Sequence, residues 1–224
     1  MALLHPPLLR EAHEYDGQRE VAIACTQLGA AYTATRARRI VDEWIALLAQ
    51  PTPLRELQFT TRTPKRLFAA VADQPQLLRL SVKWGDYSDL TSLETLTNLQ
   101  ELSLRGASAV SDLRTLAALQ RLEVLSIEGF RTIEDPSPLG KLTGLRELEL
   151  GGAWMTPRNG HISTVAFLRE LPNVETLLLH TLVVDDLDYE PLLHLPKLRS
   201  VRVMKVRGMR PSHEELQRRI PWSE

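Results

Sequence analysis

Four sets of residues in this 224-residue chain could do chemistry by type and spacing. Cys25 is the one cysteine, and six histidines are available as bases that would turn its thiol into a nucleophile. Val21 and Ile23 alternate with it as on a short strand, however, and a lone cysteine in that setting is a small buried side chain. Asp185, Asp186, Asp188 and Glu190 make the densest acidic run, and carboxylates so spaced could hold a hard cation. The run lacks the glycine turn and ordered spacing of a calcium loop, so a solvated loop is expected. Arg36, Arg38 and Arg39, and again Lys205, Arg207, Arg210, Arg218 and Arg219, could meet phosphates. No aromatic residues interleave with them to stack bases, so nucleic acid is not an expected partner. His161 and His180 recur near each other in the repeat pattern, and two histidines do not define a metal site. No phosphate loop, dinucleotide fingerprint, nucleophile elbow or zinc spacing occurs. No catalytic residue, cofactor or metal is therefore expected. An enzyme built on Cys25 or on the 185–190 run is the outlying alternative.

The elements that must position these residues follow from one recurring motif, L-x-x-L-x-L. It runs as Leu54–Leu57–Phe59, Leu77–Leu80–Val82, Leu99–Leu102–Leu104 and Leu122–Leu125–Ile127, then Leu145–Leu148–Leu150, Val174–Leu177–Leu179 and Leu198–Val201–Val203. The steps are 22 to 24 residues, with one of 29. Each motif ends in strict alternation, the period of a half-buried strand. Apolar residues then recur at three-residue steps, as in Leu90, Leu93 and Leu96, which suits a 3₁₀ turn. One such unit cannot enclose its own leucines, whereas a stack of them can. The period predicts a leucine-rich repeat horseshoe: an α/β solenoid of about seven repeats, with a parallel concave sheet, a short 3₁₀ or helical convex side and helical caps.

Hydrophobic residues make up 43% of the chain, enough for a continuous core, and the formal charge is only −1. A single cysteine excludes an internal disulfide and points to a reducing, cytoplasmic setting. The start, MALLHPPLLREAHEYD, is broken by His5, Pro6 and Pro7 and lacks a basic leader, so a signal peptide is not expected. No apolar stretch approaches the roughly 20 residues of a membrane helix.

The repeats resemble internalin-type short leucine-rich repeats over about residues 53 to 206. That family carries asparagine at the ninth repeat position, to tie down the turn. Here the position holds Arg62, Gly85, Ala107, Phe130, Ala153, Leu182 and Val206, so the turn amides need other partners. The stretches LQFTTRTPKRLFAAV (57–71), SVKWGDYSDL (81–90), EGFRTIEDPSPL (128–139) and FLRELPNVETL (167–177) resemble a group of small bacterial leucine-rich repeat proteins. That resemblance implies the fold and a cytoplasmic setting, and no particular activity.

The expected layout is an N-terminal segment and capping helix over 1–52, repeats over 53–206 and a C-terminal capping helix and tail over 207–224. Residues 35–49 have an apolar stripe through Ile40, Val41, Trp44 and Leu48 and read as the cap helix, ended by Pro51 and Pro53. Residues 1–18 read as loosely ordered. Thr63 and Pro64 read as the start of a helix in the first repeat, and Ser212 to Glu215 as a capping box. The 29-residue step contains WMTPRNGH (154–161), read either as a functional loop displaying Trp154, Met155 and Arg158 or as a tolerated insertion.

Polar residues alternating with the strand leucines must face the concave side. One column is Glu56, Arg79, Glu101, Val124, Glu147, Thr176 and Ser200. The middle one is Gln58, Ser81, Ser103, Ser126, Glu149, Leu178 and Arg202. The third is Thr60, Lys83, Arg105, Glu128, Gly151, His180 and Met204. The face reads as cationic early, at Arg79, Lys83 and Arg105, and anionic later, at Glu128, Glu147 and Glu149. A partner of opposite order would be steered by it. Trp84 and Phe130 lie just past their strands; Phe130 is expected to fold inward, and Trp84 is open to either placement.

The expected function is non-catalytic binding of another protein by a monomer, with no nucleic acid and no membrane. The expected contacts are Arg79, Ser81, Lys83, Trp84, Glu101, Ser103, Arg105, Ser126, Glu128, Glu147, Glu149, Trp154, Arg158, His180 and Arg202. Neutralisation of a cognate toxin, as an immunity protein, is the alternative.

Overall fold

The computed structural model describes residues 6–153 and 158–222. Twelve strands run through them: β1 (Leu8–Leu9), β2 (Glu20–Ile23), β3 (Glu56–Thr63), β4 (Arg79–Gly85), β5 (Glu101–Leu104), β6 (Val124–Glu128), β7 (Thr132–Ile133), β8 (Glu147–Gly151), β9 (Gly160–Ile162), β10 (Thr176–His180), β11 (Leu182–Val184) and β12 (Ser200–Val203). Nine form one sheet in the order β1-β2-β3-β4-β5-β6-β8-β10-β12, and every pairing in it is parallel. The seven leucine motifs supply seven of these strands and stay in register with one another; the one shift lies past the first motif, between Phe59 and Arg62 where β3 meets β4. Leu57, Leu80, Leu102, Leu125, Leu148, Leu177 and Val201 stand in a single row across it, all buried. That row explains the fold: each strand closes one side of its neighbour's leucines, and the core runs as a column through the stack.

The convex side returns by short 3₁₀ segments, Thr91–Leu93, Arg114–Ala118, Ser137–Lys141, Ala166–Glu170 and Glu190–His194. Their three-residue steps bury Leu93 and Leu96, Leu116 and Leu119, and Leu139 and Leu142. In the first repeat a helix, α2 (Lys65–Ala69), takes this place. Thr63 does not cap it: Thr63 ends β3, its carbonyl accepts from the Asp86 amide, and Pro64 takes the cap position.

With no asparagine at the ninth position, amides in these turns bond to carbonyls of the next repeat. The Ala107 amide donates to Glu128, Gly129 to Gly151 and Gly152 to Thr181. The Tyr87 hydroxyl donates to the Arg105 carbonyl at 2.9 Å. Such close approach requires glycine at Gly129, whose φ is +84° and whose missing side chain would fall 3.0 Å from Gly106.

The helix ahead of the first repeat is α1 (Ala34–Leu48), with the Thr33 hydroxyl accepting from the Arg36 amide.

 Ile40, Val41, Trp44 and Leu48 are its buried face, packed over the first repeat. Its last carbonyls are not left open. Gln74, fully buried, donates from Nε2 to the carbonyls of Leu48 and Gln50.

Of residues 1–18, those from 6 onward are not loose, contrary to expectation. The Trp44 indole donates to the Arg10 carbonyl at 2.9 Å, and the Ala22 and Ala24 amides donate to the carbonyls of Pro7 and Leu9. The segment thus adds β1 and β2 to the sheet ahead of the first repeat. At the far end the Val201 amide donates to Pro221, so the C-terminal tail pairs with β12. A helix over His213–Arg219 precedes that tail, and the Ser212 hydroxyl accepts from the Glu215 amide.

Beside the main sheet, β7, β9 and β11 form a smaller parallel sheet in the order β11-β9-β7. The 29-residue step is therefore partly strand: Gly160 and His161 open β9, and Arg158 and Asn159 are exposed just before it. Trp154 and Met155 lie outside the described residues.

Candidate functional site

The pairing register places two of the polar columns, and Glu128, Gly151 and His180 of the third, side by side on the face opposite the leucine row. Glu56, Arg79, Glu101, Val124, Glu147, Thr176 and Ser200 are consecutive partners, as are Gln58, Ser81, Ser103, Ser126, Glu149, Leu178 and Arg202. A strand's two-residue period makes this unavoidable once the leucines face inward.

Charges on the face are largely matched within it. Arg79 lies 3.0 Å from Glu20 and also pairs with Glu56. Arg105 lies 3.3 Å from Glu128. Lys83, Glu147 and Arg202 are exposed and have no ion-pair partner among the described residues. Glu101 is exposed beside Arg79, while Ser81 and Ser103 are half-buried between their neighbours. Trp84 is 36% exposed, with the Arg62 guanidinium 5.9 Å from its ring centroid. Phe130 is buried and fills its turn, as expected.

One group on this face is set apart by burial. Glu128 and His180 are less than a tenth exposed, and Glu149 is partly buried between them. They come from β6, β8 and β10, three adjacent strands. Glu128 and His180 flank Gly151 in the register, and the absent side chain at Gly151 leaves room for the imidazole. His180 Nε2 lies 3.1 Å from Glu149 Oε1. The Ser126 hydroxyl donates to the other oxygen, Oε2, at 2.9 Å. His180 Nδ1 meets Thr181 Oγ1 at 3.1 Å. The three donor atoms, one from each residue, all lie within 4.8 Å of one another.

The electrostatics of the pair of glutamates are opposite. Burial raises the Glu128 carboxyl above its ordinary range, the Glu149 charge adds to this, and Arg105 opposes it. The His180 hydrogen bond lowers the Glu149 carboxyl, and Ser126 assists against the cost of burial.

The other chemical candidates are not assembled. Cys25 is buried, and burial pushes its thiol up to about 12, so it stays protonated and is not an activated nucleophile. The acidic run is used locally. Asp185 pairs with His161 at 2.8 Å, Asp186 and Asp188 accept from the amides two residues on, and Glu190 pairs with Arg169 and His194. Those carboxylates do not converge on a common point. His161 stands on the smaller sheet and His180 on the main one, each with its own carboxylate. Reading the columns one at a time hid the Glu128–Glu149–His180 group, because its members belong to two columns. The glycine between Glu128 and His180 was the available signal.

No protein-family model matches the chain, and no curated protein is similar to it in sequence. Solved structures do match. An internalin of Listeria monocytogenes aligns at a TM-score of 0.57 and 18% identity, over 82% of this chain and 54% of that one. Internalin C2 of the same organism aligns at 0.52 and 20%, over 75% and 66%. A leucine-rich repeat protein of Leptospira interrogans aligns at 0.52 and 18%, over 83% and 48%. The chain thus spans about half the length of the first and third of these. At such identities the likeness is one of fold, and it agrees with the strand order and register: the chain is a leucine-rich repeat solenoid.

Proposed function

We propose that the chain is a non-catalytic protein-binding module that presents the inner face of its sheet to another protein, with the 154–161 loop contributing contacts. The observation that carries this reading is the exposure of Lys83, Glu147 and Arg202 on the sheet without ion-pair partners among the described residues, with Trp84 exposed next to Lys83 at the end of its strand. Strands fixed from behind by a leucine column need no backbone ordering on binding, and an exposed tryptophan is a frequent anchor. Arg158, exposed ahead of β9, is a further contact in this reading. The protonated Cys25 and the locally spent 185–190 carboxylates support a role without catalysis. A single buried thiol fits a reducing, cytoplasmic compartment.

The test is affinity capture from the native cells by the wild-type chain and by a variant with Lys83, Trp84, Glu147 and Arg202 changed to Ala. The expected result is a protein retained by the first and lost from the second, with unchanged thermal stability of the variant. Equal retention by both would remove the inner face from the account.

A further inference from the structure

We propose that Glu128, Glu149 and His180 form a binding site for one divalent transition-metal ion of the zinc class. The site goes beyond protein binding and stands whether or not that reading holds.

The donor set is two carboxylates and one imidazole, the mixture that suits zinc and its first-row neighbours rather than calcium or magnesium, which take six or more oxygens. The spacing agrees. Bonds of about 2.0–2.1 Å in a tetrahedron put ligand atoms about 3.3 Å apart; His180 Nε2 and Glu149 Oε1 are 3.1 Å apart. The Glu128 oxygen completes a triangle whose longest side is within 4.8 Å.

The surroundings are those of a ligand set rather than of a chance cluster. Thr181 Oγ1 at Nδ1 fixes the ring plane and leaves Nε2 on the carboxylate side. Ser126 holds one oxygen of Glu149 and leaves the other facing the imidazole. Gly151 lets the ring lie against the strand: a Cβ there would fall 2.5 Å from His180 Cε1. Three protein donors leave a fourth position for water, on the open side of the sheet. Arg105 is the competing cation. It is mostly exposed and makes a single 3.3 Å approach to Glu128, so it can swing away when a metal enters.

Chelator-treated full-length protein, titrated with Zn²⁺ by calorimetry and with Co²⁺ by visible absorption, tests this. The expected result is one ion per chain, with Co²⁺ ligand-field bands. Glu128→Gln and Glu149→Gln, which keep shape and hydrogen-bonding capacity, should each weaken binding at least about tenfold, and His161→Asn should leave it unchanged. Circular dichroism on each variant confirms the fold. Absence of saturable binding, binding that survives both Gln substitutions, or binding lost in His161→Asn would overturn the proposal and leave the three residues as a hydrogen-bonded patch.

Discussion

The His180 imidazole occupies the space that a side chain at Gly151 would need: a Cβ at 151 would lie 2.4 Å from the His180 carbonyl oxygen and 2.5 Å from Cε1. One of these obstacles is backbone, which cannot rotate aside. Gly151→Ala is therefore expected to cost about 1–3 kcal/mol, the scale of overpacking. Gly144→Ala, whose nearest neighbour would be a carbonyl at 3.4 Å, is expected to be close to neutral. Urea denaturation of the two variants checks the contrast.

The two glutamates beside this histidine should respond to pH with opposite sign. The folded Glu128 carboxyl titrates above its unfolded value, so its contribution to stability is present at low pH and is lost as pH rises through the folded value. Glu128→Gln should therefore raise the melting temperature at pH 7, with the gain vanishing below about pH 4, under the ordinary glutamate value. Glu149 titrates below its unfolded value, so its contribution is present at neutral pH and is lost as pH falls through the folded value. Glu149→Gln should cost about 1 kcal/mol at pH 7 and little in acid. Melting curves across pH 3–7, without added metal, measure both.

Trp44 anchors the segment ahead of the repeats through its bond to the Arg10 carbonyl. Trp44→Phe keeps most of the buried ring and removes that donor. It is expected to cost about 1 kcal/mol, the net worth of a part-buried hydrogen bond. Amide exchange should rise first in β1 and β2, ahead of any change in β5 or β6.

Cys25 should be inert in the folded protein. A buried thiol pushed up to about 12 leaves a negligible thiolate fraction at pH 8. Labelling with a disulfide reagent is expected to proceed only at the rate of unfolding, and to complete at once in denaturant. Rapid labelling of the native chain would place Cys25 at the surface.

The repeat strands were legible in the sequence because alternation and a 22–24-residue step leave only one way to bury the leucines. Two polar columns followed from the same period; at the start of the third the register shifts between Phe59 and Arg62. The order of residues 6–18 was not legible: it depends on an indole hydrogen bond from Trp44, 34 positions away. The strand β9 was hidden in a glycine- and proline-containing insertion, since its partners Ile133 and Val184 lie in other repeats. The convergence of Glu128, Glu149 and His180 needed side-chain directions, not only register. Trp84 was undecided in the sequence because packing at the turn, rather than periodicity, sets where its ring goes.

Binding of a protein on the inner face of the sheet would shield that face from solvent. The most direct measurement is hydrogen exchange of the wild-type chain, free and bound to the protein that affinity capture retains. The account predicts slowed exchange in peptides spanning 79–85, 101–105, 147–151 and 176–180, with the convex 3₁₀ segments unchanged. Slowing confined to those convex segments or to the terminal caps would contradict it.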